Sequence, residues 1–183
     1  MLPLAPTKEP VTRSATFEGM FVRALQPTGA FAEELRAAGY DVLNPRAEYP
    51  TRVWNACLEV ARRHTFPALP RAEGQHRLGQ LFMEGYFRTL QGKLAGATLP
   101  MLGPAMVVKK LRQAWSASQP DIQMESVELG PGEWRVTLGQ EGIVAEFCAG
   151  FIESILQRTR VQPEAKVLEV SPTGCILSVR WRE

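Results

Sequence analysis

Few side chains in this sequence have the type and spacing that covalent or proton-transfer chemistry requires. Histidine occurs only at His64 and His76, too few for a multi-histidine metal site. His64 closes a helical stretch, where an imidazolium would interact favourably with the C-terminal end of the dipole. His76 stands beside Arg77 on another helix and is expected to be exposed. Glu33 and Glu34 are adjacent, and neighbouring helical side chains diverge too far to share a site. Glu84 is the carboxylate expected to be partly buried, because it lies on a helix beside Gly79 and Gly85. It is the one candidate for general acid–base work, set against a plain ion pair with Arg88 at i+4. Cys57, Cys148 and Cys175 have long spacings and form no C-x-x-C pair. Each falls in an apolar stripe, so buried thiols in a reducing compartment are expected. No G-x-S-x-G, G-x-x-x-x-G-K-S/T or G-x-G-x-x-G motif occurs. Gly130-Pro131-Gly132 reads as a hairpin turn, since no helix start follows it to bind phosphate. The sequence therefore assigns no catalytic, cofactor-binding or metal-ligating residue, and an enzyme is not the expected reading.

What the residue types do allow is an apolar pocket. Aromatic and methionine side chains concentrate on the helical stretches from Pro50 to Ser118. Trp54, Cys57, Phe82, Gly85, Tyr86 and Trp115 are the candidate lining residues, with Gly85 permitting close approach of a helix or a ligand. The net charge of +2, from 21 basic and 19 acidic residues, argues against a nucleic-acid partner, which needs a concentrated basic surface. The Pro-rich start carries no signal-peptide pattern and no apolar run is long enough to span a membrane, so a cytoplasmic location is expected.

These residues need elements to position them. Residues 1–13 read as a flexible N-terminal lead, and 14–183 as a single domain, the size of the chain fitting one core. Ser14 to Leu25 fits a strand or a helix equally well. Ala30 to Ala38 is a short helix stopped by Gly39. Pro50 opens a helix to about Thr65, with Trp54, Cys57, Leu58 and Ala61 as its buried stripe. A second helix is expected from about Arg71 to Gln91, a further helical segment over Leu94 to Leu102, and another from Gly103-Pro104 to about Ser118. After Pro120 the apolar period changes from 3.6 to 2. Ile122 and Met124 alternate, then Val127 and Leu129 take the opposite phase, which predicts a bulge near Glu125-Ser126. Trp134, Val136 and Leu138 form one strand face. Val144, Phe147, Cys148, Phe151, Ile152 and Ile155 form an amphipathic helix. A second hairpin turns at Ser171-Pro172-Thr173-Gly174. The fold class is α+β: a helical N-terminal half, then a β-β-α-β-β unit that forms a four-stranded antiparallel sheet.

Several short signatures occur in a fixed order. They include Phe17-Glu18-Gly19, Tyr49-Pro50-x-x-x-Trp54 and Gly79-x-x-Phe82-x-Glu84-Gly85-Tyr86-x-x-Thr89. Leu102-Gly103-Pro104, Glu128-Leu129-Gly130-Pro131-Gly132, Phe147-x-Ala149-Gly150-x-x-Glu153 and Ser178-Val179-Arg180-Trp181 follow. Together they resemble the large paralogous family of unknown function found in myxobacteria, over nearly everything after residue 14. That family brings no assigned activity. In architecture the chain is more distantly similar to the superfamily joining haem-dependent NO sensors, 4-vinyl reductase domains and TRAPP vesicle-tethering subunits. That resemblance implies a small apolar ligand, a haem, or a dimeric scaffold. The haem branch carries a helix histidine and a Tyr-x-Ser-x-Arg strand. Tyr40, Tyr49 and Tyr86 head no such motif, so neither haem nor any other cofactor is expected.

The resulting expectation is a non-enzymatic sensory or scaffolding domain, homodimeric and able to enclose a small apolar ligand. Two alternatives stand beside it. One is a ligand-free protein-interaction module of intracellular signalling, recognising a protein partner. The other is an enzyme using Glu84.

Overall fold

The computed structural model describes residues 9–182. Of the lead expected over residues 1–13, residues 1–8 lie outside the described residues, and Val11–Arg13 forms strand β1. It pairs antiparallel with β2 (Glu48–Pro50), just before the helix that the sequence opens at Pro50. Three-residue strands are too short to leave an alternation signal.

Ser14 to Leu25 is helical, as α1 (Ser14–Phe17) running into a π-helical stretch (Glu18–Leu25). Helical winding puts Phe17, Met20 and Phe21 together in the core, which a strand would split between two faces. Helix α2 (Ala30–Ala37) ends at Gly39, whose φ of +107° is a conformation other residues rarely adopt. Helix α3 (Thr51–Thr65) follows Pro50 and buries Trp54, Cys57, Leu58 and Ala61 on one face. Helix α4 (Arg71–Tyr86) stops before the expected Gln91. The reason is local: the Thr89 hydroxyl accepts from Gly92 N–H at 3.0 Å and so caps a new helix, α5 (Leu90–Leu102). Thr89→Ala is expected to cost about 1 kcal/mol, read from the urea midpoint. Helix α6 (Pro104–Ser116) begins with proline in its first turn.

The C-terminal half is the expected hairpin–helix–hairpin. Strands β3 (Gln123–Gly130), β4 (Glu133–Gly139), β5 (Gln162–Ser171) and β6 (Gly174–Arg182) form an antiparallel sheet in the order β3-β4-β6-β5. Helix α7 (Ala145–Gln157) connects the two hairpins. The bulge expected near Glu125-Ser126 is not there. Pairing with β4 runs unbroken from Gln123 to Glu128 and shifts at Leu129 instead. Val127 changes phase because it simply faces outward, 44% exposed and opposite Arg135.

The inner sheet face, with Trp134, Val136, Leu138, Leu177 and Val179 buried, packs against α7. The other side of α7 packs against α4. The helix is therefore buried on both flanks rather than half-solvated. Its small residues allow this. A Cβ added at Gly150 would collide with the His76 backbone carbonyl, and one at Gly79 would lie 2.6 Å from Phe151 N. Each helix thus presents a glycine to the other's backbone. Aromatic rings run through the core in contact. Tyr49 meets Phe17 at 4.6 Å between centroids, Phe17 meets Trp54 at 5.1 Å, and Trp54 meets Phe82 at 5.9 Å.

Candidate functional site

Helix α6 presents Val107, Leu111 and Trp115 in one i, i+4 row, all buried. Helix α7 presents Phe147, Phe151 and Ile155. The rows touch where the Trp115 and Phe151 rings lie 4.5 Å apart. A cavity of about 440 Å³ lies among these rows, Phe82 and Tyr86 of α4, Leu58 of α3 and Leu99 of α5. Its size falls within the ~300–1,000 Å³ of small-molecule pockets. The exposed lining residues lie mainly on α5 and α6, among them Thr98, Leu102, Lys110 and Ala114, which puts the mouth along those helices. The wall is not wholly apolar: Thr16, Asn55, Gln119 and Gln140 contribute to it.

Of the six residues singled out from the sequence, Trp54, Phe82, Tyr86 and Trp115 line this cavity. Trp54, Phe82 and Phe147 form one aromatic corner, with centroid separations of 5.7–5.9 Å. Cys57 and Gly85 stand outside the lining. Cys57 is core, and a Cβ at Gly85 would come within 2.7 Å of the Ala24 methyl. Gly85 therefore admits the π-helical stretch rather than a ligand.

Glu84 is exposed, against expectation. It occupies the face of α4 opposite Phe82, two residues away in a helix of ~3.6 residues per turn. Arg88 donates to the Arg23 carbonyl at 3.2 Å. An exposed Glu84 has no pocket around it to shelter a reaction, so the enzyme reading loses its candidate. Burial pushes the Cys57 thiol up to about 12 and the Cys175 thiol up to about 11. Burial also holds Cys148, which lines the cavity, well above its ordinary value. All three are neutral thiols, without the thiolate character of a nucleophile or a metal ligand.

Neither histidine lines the cavity. His64 stacks on Phe31, 4.7 Å between centroids, and bonds Glu34 at 3.0 Å. His76 is not exposed as expected, because it has a partner on α7. Its Nε2 donates to Glu153 Oε2 at 2.7 Å. The other Glu153 oxygen accepts from Ala165 N–H of β5 at 2.8 Å, and Gln80 donates to Oε2 at 3.2 Å. Burial pushes the Glu153 carboxyl up. The hydrogen bonds from His76, Ala165 and Gln80 outweigh it and hold the group below its ordinary value. One carboxylate thus ties together α4, α7 and β5. Among the described residues no group of three or more His, Cys, Asp or Glu could hold a metal ion.

Residues 11–182 match the family described as "Protein of unknown function (DUF2378)". The chain belongs to that family. No curated protein matches it. Solved structures do resemble this DUF2378 fold. The Fe(II) unliganded H-NOX protein from K. algicida aligns with a TM-score of 0.64 at 11% identity, covering 93% of this chain and 97% of that one. An H-NOX protein from S. oneidensis in the Fe(II)NO ligation state gives 0.64 at 9% identity, covering 93% and 99%. An H-NOX domain from Shewanella oneidensis in the Fe(II)CO state, solved by NMR, gives 0.67 at 10% identity, again covering 93% and 99%. At such identities the likeness is one of fold. Among the described residues no helix is long and apolar enough to cross a membrane.

The sequence reading of this DUF2378 chain missed the polar part of the cavity wall. Thr16, Asn55, Gln119 and Gln140 come from four separate segments and carry no shared periodicity. Glu153 did leave a signal: unlike Glu146 in the first turn, it stands in the middle of the most apolar helix, where an ionised group requires partners.

Proposed function

We propose that this chain is a sensory domain that encloses a small apolar ligand in the cavity between α6 and the α4–α7 pair, and that it works without haem. The observation that carries the reading is the 440 Å³ cavity with its aromatic corner. The H-NOX-like fold, shared with Fe(II) H-NOX proteins in unliganded and NO-ligated states, supports a sensory role. Haem iron needs an axial donor such as imidazole, thiolate or phenolate. These residues do not fit one. Both imidazoles are engaged outside the lining, Cys148 is a neutral thiol, and burial raises the pKa of Tyr86. In this reading Trp54, Phe82, Tyr86 and Trp115 contact the ligand, while Cys57 and Gly85 shape the core behind them.

Native mass spectrometry of the purified protein tests this, together with quenching of the Trp54 and Trp115 fluorescence by added apolar probes. A retained small-molecule mass or saturable quenching is expected. Val107→Trp, which fills the cavity from α6, is expected to weaken probe binding at least ~10-fold, a loss of about 1.4 kcal/mol or more. A bare chain that binds no probe overturns the reading.

A second reading, a protein-interaction or dimerisation module, is favoured by Leu90, Leu94 and Met101, which are 66–87% exposed along α5. Sedimentation velocity separates it. A monomer at all concentrations, unaltered by polar substitutions at these three positions, speaks against it.

A further inference from the structure

The cavity wall holds two polar atoms that the fold leaves unused. Thr16 and Gln140 both line the cavity and are only 5% and 8% exposed. Thr16 Oγ1 and Gln140 Oε1 have no hydrogen-bond partner among the described residues. Leaving such an atom unpaired forfeits its hydration without a replacement bond, so native proteins rarely keep one without a reason. The polar neighbours are already committed. Gln119 accepts from Trp115 Nε1 at 2.9 Å and donates to Thr12 Oγ1 at 3.1 Å, and Asn55 donates to the Gly142 carbonyl at 2.8 Å.

These contacts also locate the pair. Gln119 touches Thr12 of β1, four residues before Thr16, and Asn55 touches Gly142, two residues after Gln140. The polar wall therefore gathers at the Trp115–Gln119 end of the α6 row. The opposite end, at Val107, lies by the α5–α6 junction, where Leu99 and Leu102 contribute apolar wall. Along α6 the eight-residue step from Val107 to Trp115 spans roughly 12 Å at 1.5 Å per residue.

We propose that the ligand is an uncharged amphiphile: an apolar body with one hydrogen-bond-donating head, an alcohol or an amide, which Thr16 and Gln140 receive. This rests on the reading of the cavity as a ligand site. Gln140 Oε1 can only accept, and the Thr16 hydroxyl accepts as well as donates, so a head that donates is the one that serves both. Among the described residues no Asp, Glu, Arg or His lines the cavity, and Lys110, the cation that does, is exposed at the mouth. A charged head against the polar wall would lack a counter-charge.

Titration with dodecanol, dodecanoate and dodecane, followed by tryptophan fluorescence, tests it. Dodecanol is expected to bind about 10-fold tighter than dodecanoate, the worth of one or two neutral hydrogen bonds. Thr16→Val/Gln140→Leu is expected to lose roughly 10-fold for dodecanol and nothing for dodecane. Its unliganded urea midpoint should equal or exceed that of the parent, since two unpaired atoms are removed. The alcohol–acid preference is read on the unaltered protein and survives any folding defect of the variant. If dodecanol binds the double variant as tightly as the parent, the spare oxygens are served by water and the proposal is overturned. If dodecanoate binds best and loses that advantage in Lys110→Met, the head is an anion at the mouth; the proposal falls and the cavity reading stands. If no alkyl probe binds, both fall.

Discussion

Replacing Gly150 with alanine is expected to cost at least ~3 kcal/mol of folding stability, the upper range for overpacking a core. Intrinsic helix propensity points the other way, favouring alanine by about 1 kcal/mol in a helix interior. Sterics win because the new methyl would meet backbone. It would collide with the His76 carbonyl oxygen, and the carbonyl carbon lies 2.8 Å away. A backbone group inside helix α4 cannot swing aside, so the two helices must part. Phe147 and Phe151 then move off the cavity they wall. Gly79→Ala is expected to behave alike, meeting the Phe147 carbonyl from the other helix. Gly96→Ala is the control. Its Cβ would approach only the Phe87 ring, at 3.2 Å, and a side chain can yield. That variant is expected to be neutral or slightly stabilising. Urea unfolding followed by circular dichroism ranks the three. Equal midpoints for Gly150→Ala and Gly96→Ala would sink the close helix crossing.

The glycines illustrate what a sequence carries and what it withholds. Gly79 and Gly85 are visible in the sequence as glycines within a helix, where either a helix or a ligand can approach closely. Their partners were out of reach, because Gly79 meets a backbone some seventy residues away in the chain and Gly85 meets Gly19 and Ala24. The two hairpins and α7 were legible for a simple reason: their apolar faces repeat with a period fixed by local geometry. Val127 and Leu129 misled the same logic, since a change of phase reads alike whether the strand bulges or merely turns apolar groups to solvent. The candidate site divides in the same way. Trp54, Phe82 and Trp115 lie on helical stripes and were visible. Thr16 and Gln140 lie at element ends and were not. The cavity itself follows from α6 standing away from α7, a tertiary spacing with no local trace. His76 failed as an expectation because its partner, Glu153, is 77 residues distant.

Glu153→Leu is the other substitution expected to be severe, at about 3 kcal/mol, because removing one partner strands the rest. Ala165 N–H, His76 Nε2–H and the Gln80 amide would all lose their acceptor, in a region where His76 and Glu153 are only 22% and 13% exposed. Glu153→Gln keeps the shape and one acceptor oxygen, and is expected to cost roughly half as much. The ionised bond makes a further demand on pH. The folded-state pKa of Glu153 lies below its ordinary value, so the folded chain binds fewer protons than the unfolded one. Its stabilisation is therefore complete above the ordinary glutamate pKa of about 4.3 and drains away as pH falls through the lower folded value. The gap in urea midpoint between the parent and Glu153→Gln should be widest near neutral pH and close in acid. A gap independent of pH across that window would mean that charge on Glu153 contributes nothing. The same bond sets the cavity, since α4 supplies Phe82 and Tyr86 and α7 supplies Phe147 and Phe151 to its wall. Loosening that tie should cost probe affinity as well as stability, and Glu153→Leu is expected to lose both together.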